Sequence, residues 1–199
     1  MDRRPQDRDR VDESDTRWDR LMTLLEPIHE SAAMTARRLS RTTGEGDDLY
    51  QEALLRAFRK LPSLRDESRF RSWFFAVLLS LHRSRSRRAV WKRFLPLDEA
   101  SSERTMPVWS VTDQDEAARA DRASKALALL PAVQREAIVL FEMNRFSIAE
   151  IAQLQNVSES AVKSRLARGR ERLRGAYRRL GRTEVASERP KLQFERTPR

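Results

Sequence analysis

The side chains of this chain best suited to chemistry are cations. Lys163, Arg165, Arg168, Arg170, Arg172 and Arg174 crowd the segment VKSRLARGRERLR, and Arg83, Arg85, Arg87 and Arg88 fill the shorter run HRSRSRR. Groups of this kind neutralise phosphates, and an arginine or lysine in a groove can also read base edges. Other reactive types are scarce. The chain has no cysteine, which excludes disulfides and thiolate metal sites, and its two histidines, His29 and His82, lack ligand-like spacing. Acids fall in a helical segment near Asp48 and Glu52 and in a stretch from Asp98 to Glu116, not in a catalytic cluster. The expectation is a protein with no metal, no cofactor and no catalytic residue, hence not an enzyme.

Two helices must position the larger basic group. In SIAEIAQLQNVSESAVKSRLARGRERLR, Ser147 followed by Glu150 is a capping-box pattern that starts a helix. Ile148, Ile151, Ala152 and Leu154 give that helix an apolar face. Asn156 tolerates a left-handed backbone and marks its end. Ser158 caps a second helix, whose Val162, Leu166 and Leu173 share one buried side, leaving most of the cations to project outward. This is a helix-turn-helix, which places the start of its second helix against base edges in the major groove.

Composition agrees with a polyanionic partner. Over 199 residues, 40 lysines and arginines against 30 acids leave a net charge of +10. Only 39% of residues are hydrophobic and 35% are charged, so two small helical modules fit better than one large core. The apolar run from Trp73 to Leu81 is shorter than the roughly 20 residues of a membrane span. The charged amino terminus resembles no secretory signal, so no membrane insertion and a cytoplasmic location are expected.

Along the chain, residues 1–17 are polar and are expected to be disordered. Leu21, Leu24, Leu25, Ile28, Ala32 and Leu39 recur at helical spacing, with Pro27 a kink or break. Gly44 and Gly46 predict a turn, after which Asp47 opens a helix striped by Leu49, Ala53, Leu54, Ala57, Phe58 and Leu61 and ended by Pro62. A polar turn, Ser63 to Ser68, precedes a helix from about Arg69 that is apolar on more than one side and therefore central to a bundle. Residues 96–120 read as an acidic linker, helical toward its end. Pro131 is expected as the first residue of the helix that leads to the DNA-reading pair. The tail beyond Gly181 reads as loose, and no strand or repeat is predicted.

Three motifs taken together resemble a known family: DDLYQEALLRAFRKL (Asp47 to Leu61), SRFRSWFFAVLLSLHRSRSRR (Ser68 to Arg88) and VKSRLARGRERLR (Val162 to Arg174). In order and spacing they are similar to bacterial RNA polymerase sigma factors of the extracytoplasmic function (ECF) type, within the sigma-70 superfamily. The resemblance implies an all-α chain of two small helical domains joined by a flexible linker, the second carrying the helix-turn-helix. Residues 18–95 would be the second sigma domain and 121–181 the fourth, flanked by tails at 1–17 and 182–199.

The resemblance also implies roles. Asp48, Leu49, Gln51, Glu52 and Arg56 would dock on the coiled coil of the polymerase's largest subunit. The turn bearing Arg65, Asp66, Glu67 and Ser68 would capture an unpaired base of the minus-ten element, with Arg71, Arg83, Arg85, Arg87 and Arg88 holding phosphates of the opened strand. Opening the duplex loses about 1.4 kcal/mol of stacking per step, and a flipped base costs a few more, so the opened strand must be held better than the duplex. Phe70 and Trp73 could stack on bases or belong to the core, the core being favoured for Trp73. Ser160, Lys163, Ser164, Ala167 and Arg168 would face the minus-thirty-five element, with Arg165, Arg170 and Arg172 as backbone contacts or structural neighbours. The implied partners are core RNA polymerase, promoter DNA and an anti-sigma factor. Three departures from the family pattern stand out: Ser80-Leu81-His82 in place of an Asn-Leu-Ala-like segment, Gln155 at a usually apolar position, and Asn156 at a usual glycine. A dimeric operator-binding regulator and an enzyme acting on nucleic acid are the other readings of the residues, ranked below the promoter-specificity subunit.

Overall fold

The computed structural model describes residues 5–94 and 114–187, with side chains described over 15–88 and 121–180. The first module comprises α1 (Pro5–Leu25), α2 (His29–Leu39), α3 (Thr43–Lys60) and α4 (Phe70–Phe94). The second comprises α5 (Gln114–Ala128), α6 (Ala132–Ile138) continued by a π turn (Val139–Met143), α7 (Ile148–Gln155) and α8 (Glu159–Ser187). There is no strand among the described residues.

Local chemistry sets most boundaries. Pro27 lies in a 3-10 turn, Glu26–Ile28, that separates α1 from α2. Pro62 lies in another, Leu61–Ser63, immediately after α3. The Asp66 carboxylate accepts from the Ser68 amide at 3.0 Å and caps a third short turn, Glu67–Arg69, that leads into α4. Pro131 is the cap of α6 and not its first helical residue, since its ψ of 140° is extended.

Two expectations about order are corrected. Residues 5–17, expected to be disordered, continue α1; a proline at the start of a helix lacks only an amide hydrogen that would be unsatisfied there anyway. Residues 182–187, expected to be loose, extend α8. Most of the expected linker and the ends of both tails lie outside the described residues.

A further correction concerns Gly44 and Gly46, which lie inside a helix and not in a turn. The Thr42 side chain accepts from the Glu45 amide at 3.1 Å, and Glu45 Oε2 accepts from the Arg41 amide at 3.1 Å, so α3 starts before the glycines. Gly46 is required by packing. A Cβ there would stand 2.5 Å from Arg37 Cα on α2, whereas one on Gly44 would meet nothing within 4 Å. The α2–α3 crossing is thus set by a missing side chain.

α4 explains its own composition. Phe74, Phe75, Leu78 and Leu79 are each fully buried although they are neighbours in pairs. One side meets the first module, with Phe74 6.3 Å from Tyr50, and another meets the second, with Phe75 5.0 Å from Phe146. A helix wedged between two partners has to be apolar on more than one side. The buried residues of both modules consequently form one continuous core.

Gly46→Ala should lower unfolding stability by about 1–3 kcal/mol, because the new methyl overlaps α2 backbone. Gly44→Ala, in open space within the same helix, should be neutral or stabilising by up to about 1 kcal/mol. Denaturant titration of both variants checks the pair, and equal effects would contradict the close crossing.

Candidate nucleic-acid interface

The helix-turn-helix forms as its spacing predicts. Ser147 Oγ accepts from the Glu150 amide at 3.2 Å, while Glu150 Oε2 accepts from the Ser147 amide at 2.7 Å, closing the capping box. Those hydrogen bonds hold the Glu150 carboxyl below its ordinary range. Asn156 ends α7 with φ 51°, in the left-handed region. The Ser158 hydroxyl accepts from the Ala161 amide at 3.3 Å at the start of α8. Val162, Leu166 and Ala176 are buried, and Leu173 packs against the core. Gly169 is buried too, and a Cβ on it would lie 3.0 Å from Ile138 Cγ1, so α8 runs close over α6.

That burial leaves one face of α8 outward. Ser160, Lys163, Ser164, Ala167 and Arg168 are all exposed, at the three- and four-residue spacing that puts them on one stripe. Three cations of α8 turn elsewhere. Arg165 donates to Gln155 Oε1 at 2.7 Å, Arg172 to Gln134 Oε1 at 2.7 Å, and Arg170 to Glu142 Oε1 at 2.7 Å while lying over the Phe141 ring. These three are structural neighbours in this arrangement, one of the two roles expected of them.

In the first module Arg65, Asp66, Glu67 and Ser68 are exposed on one connection. The Ser68 hydroxyl and amide both donate to Asp66 Oδ1, which holds that carboxyl below its ordinary value. Arg20 of α1 donates to Glu67 Oε1 at 2.6 Å and ties the connection to a helix that the sequence reading had not linked to it. Phe70 is buried, so it serves the core and not a base stack, and Trp73 packs against the core from a half-buried position.

The remaining cations are distributed unequally. Arg87 and Arg88 are exposed. Arg85 donates to Glu52 Oε2 at 2.7 Å and to the carbonyls of Glu45 and Asp48, bracing α4 on α3. Arg83 forks onto Glu136 of the second module, from Nε at 3.1 Å and from Nη2 at 2.7 Å. Arg71 donates to the Asn144 carbonyl and stacks 3.9 Å from the centre of the Phe146 ring. Arg71 and Arg83 therefore face protein in this arrangement.

On α3, Gln51 and Asp48 are exposed, while Glu52 and Arg56 are half-buried. Leu49 corrects the expected docking set: it is 1% exposed and belongs to the core, because its position in the helix turns it toward the bundle. Leu55, one turn after Gln51, is 52% exposed and was missed. The signal available for it was a leucine falling outside the buried stripe of its own helix.

Comparison with known proteins decides between the readings. Residues 29–92 match the family described as Sigma-70 region 2, and residues 120–173 match Sigma-70, region 4. The ECF RNA polymerase sigma factor SigM of Mycobacterium tuberculosis is 37% identical over 145 residues, spanning 73% of this chain and 70% of that protein. The chain belongs to the ECF sigma factors. A further relative, EcfG of Rhodopseudomonas palustris, is 32% identical over 135 residues, covering 68% of this chain and 72% of that one. Among solved structures, the sigma factor RpoE in complex with the anti-sigma factor NepR from Bartonella quintana superposes with a TM-score of 0.59 at 26% identity, over 77% of this chain and 94% of that one. CnrH in complex with the cytosolic domain of CnrY gives 0.55 at 26% identity. This sigma factor is thus a regulatory transcription protein that associates with RNA polymerase and directs initiation to promoters.

The histidines take structural places. His29 Nδ1 and the Tyr50 hydroxyl lie 2.6 Å apart, and burial pushes the Tyr50 hydroxyl up to about 12. Among the described residues no group of histidines and acids could hold a metal ion, and no helix is long and apolar enough to cross a membrane. His82 is buried on α4 beside the junction of the modules, 3.8 Å from Glu136. Burial holds its imidazole below the ordinary 6.5; Glu136 opposes this, and Arg135 on α6 with Arg83 and Arg85 on α4 reinforces it. The unfolded chain takes the proton more readily than the folded one. The stability this group contributes is present above about pH 6.5 and falls away as pH drops through the lower folded value. Thermal unfolding should therefore show a steeper loss of midpoint between about pH 7 and pH 5 in the native chain than in His82→Gln; parallel curves would refute the assignment.

Proposed function

We propose that this sigma factor docks on core polymerase through the outer face of α3, opens the minus-ten element with the Arg65 to Ser68 connection and the basic end of α4, and reads the minus-thirty-five element with α8. The observation that carries this reading is the α8 stripe of Ser160, Lys163, Ser164, Ala167 and Arg168, exposed as a set while the opposite face is buried. Arg168 and Lys163 are long enough to reach base edges, where a good bidentate contact discriminates by about 1–3 kcal/mol, and the Ala167 methyl suits contact with a thymine methyl. On α3, Gln51 offers hydrogen bonds beside the exposed apolar Leu55, a polar rim next to a hydrophobic contact. Energy for strand opening comes from holding the opened strand and not from hydrolysis, so the protein works without a catalytic centre of its own. Such a role places it in the cytoplasm with the polymerase.

An anti-sigma factor is the natural controlling partner. Both structural relatives above are complexes, RpoE with the anti-sigma factor NepR and CnrH with the cytosolic domain of CnrY. A partner of this type would compete with core polymerase for the same chain.

Run-off transcription with purified core polymerase tests the assignment. Native chain should initiate at discrete genomic promoters. Arg168→Ala should reduce initiation about 5- to 100-fold at promoters with the matching upstream base, in keeping with the loss of one base contact. Gln51→Ala with Leu55→Asp should abolish initiation by lowering affinity for core while leaving the thermal midpoint within a few degrees, since both positions are exposed. Failure of core plus native chain to initiate at any promoter would overturn the proposal.

A further inference from the structure

The geometry points to Arg85 as a positioning residue for polymerase docking: from α4 it holds the Glu52 carboxylate in place on α3 and keeps one carboxylate oxygen open for a basic side chain of the polymerase. The inference rests on the reading of the outer face of α3 as the docking face. It also withdraws Arg85 from the cations expected to hold the opened strand.

Both forking edges of this guanidinium are taken by α3. Its Nε and Nη2 donate to Glu52 Oε2, at 3.0 and 2.7 Å. Nη2 also donates to the Asp48 carbonyl at 3.1 Å, and Nη1 to the Glu45 carbonyl at 3.3 Å. Guanidinium holds a phosphate best through two parallel N–H groups of one edge, and neither edge is left for it here. Arg87 and Arg88 differ. Both are exposed, and Arg87 donates to the neutral Ser84 Oγ at 3.4 Å, so these two remain the strand-holding cations at this end of α4.

Glu45, Asp48 and Glu52 share one side of α3, since their offsets are those of neighbouring turns, and Arg85 lies along that side. Both of its bonds to Glu52 fall on Oε2. Oε1 accepts none among the described residues, and the Glu52 side chain is 44% exposed. The exposed Gln51 precedes it and the exposed Leu55 lies one turn on, so the open oxygen borders the same polar and apolar patch. A glutamate on a helix surface otherwise samples several rotamers and loses that freedom when a partner takes it. Here the freedom is gone before docking. Arg85 also offsets the charge of Glu52, which lowers its long-range attraction for a basic partner. At physiological salt such attraction is screened within about 8 Å, so the fixed geometry outweighs it. Arg85 therefore prolongs the docked complex more than it speeds its formation.

The test measures association and dissociation rates of the full chain with purified core polymerase at about 0.15 M salt. Arg85→Gln should raise the dissociation rate about 5- to 20-fold and leave the association rate within about 3-fold. Arg85→Lys keeps the charge and loses the fork; it should give a smaller rise, about 2- to 5-fold, and stays readable if the glutamine variant folds poorly. Glu52→Gln should act like Arg85→Gln, and the double variant should be at most about 2-fold worse than Glu52→Gln, because the arginine acts through the carboxylate. With core at saturation, binding of a single-stranded minus-ten oligonucleotide, taken from a promoter found by run-off transcription, should keep its affinity and salt slope in Arg85→Gln. In Arg87→Gln with Arg88→Gln the slope should flatten by about 0.7 for each lost phosphate contact. Effects that multiply in the Glu52 and Arg85 pair would overturn the inference, as would weaker oligonucleotide binding with native core dissociation in Arg85→Gln. Gln51→Ala with Leu55→Asp in the same rate assay tests the docking face itself. Unchanged rates there overturn that reading and this inference with it, whereas faster dissociation there beside an unchanged Arg85→Gln overturns the inference alone.

Discussion

A carboxylate withdrawn from water must find charge and hydrogen bonds in the protein, or the fold that buries it is lost. Glu136 is withdrawn almost completely and is answered by the Arg83 fork, by Gln155 and by the nearby edge of His82. Its satisfaction comes from both modules: Arg83 and His82 lie on α4, Gln155 on α7. The way the halves meet is therefore dictated by a polar requirement, and the aromatic contact of Phe75 with Phe146 supplies the apolar area around it. Either element alone would be weaker, because a polar contact without surrounding burial is screened by water.

This arrangement changes how the basic residues are understood. A sigma factor needs cations for DNA, and an unoccupied row of them would attract any nucleic acid in the cell. In this protein the row is partitioned. Arg85 braces α4 on α3, Arg71 and Arg83 are seated on the second module, and Arg87, Arg88 and the α8 stripe remain at the surface. Arginine suits such alternation, since its planar fork binds a protein carboxylate and a phosphate with similar geometry.

The departures from the family pattern make physical sense once the packing is known. Gln155 stands where an apolar residue is usual, yet it is buried with its amide fully engaged by Val133, Glu136 and Arg165. Asn156 takes a left-handed conformation that glycine would adopt without strain, and its side chain makes that region more accessible to it than to most residues. Gly46 illustrates the opposite constraint, a glycine kept for space and not for a turn.

Much of the fold was legible because it rests on local rules. The capping box at Ser147, the left-handed Asn156, the proline-bounded ends of α1 and α3 and the spacing of Val162 with Leu166 involve neighbours within a turn or two, so type and spacing determine them. The exposed stripe on α8 follows from the same periodicity. Gly44 and Gly46 misled because a helix can accept glycine when a partner helix needs the room, and that partner, α2, is distant from any turn signal. Leu49 was placed in the docking set and Leu55 was passed over because which side of α3 meets the bundle is settled by its neighbours. Glu136 and Phe146 carried no signal at all. Sequence alone determined which helices form and which cations they bear; only tertiary structure decided which of those cations meet solvent, because occupancy of a guanidinium depends on an acid more than fifty positions away.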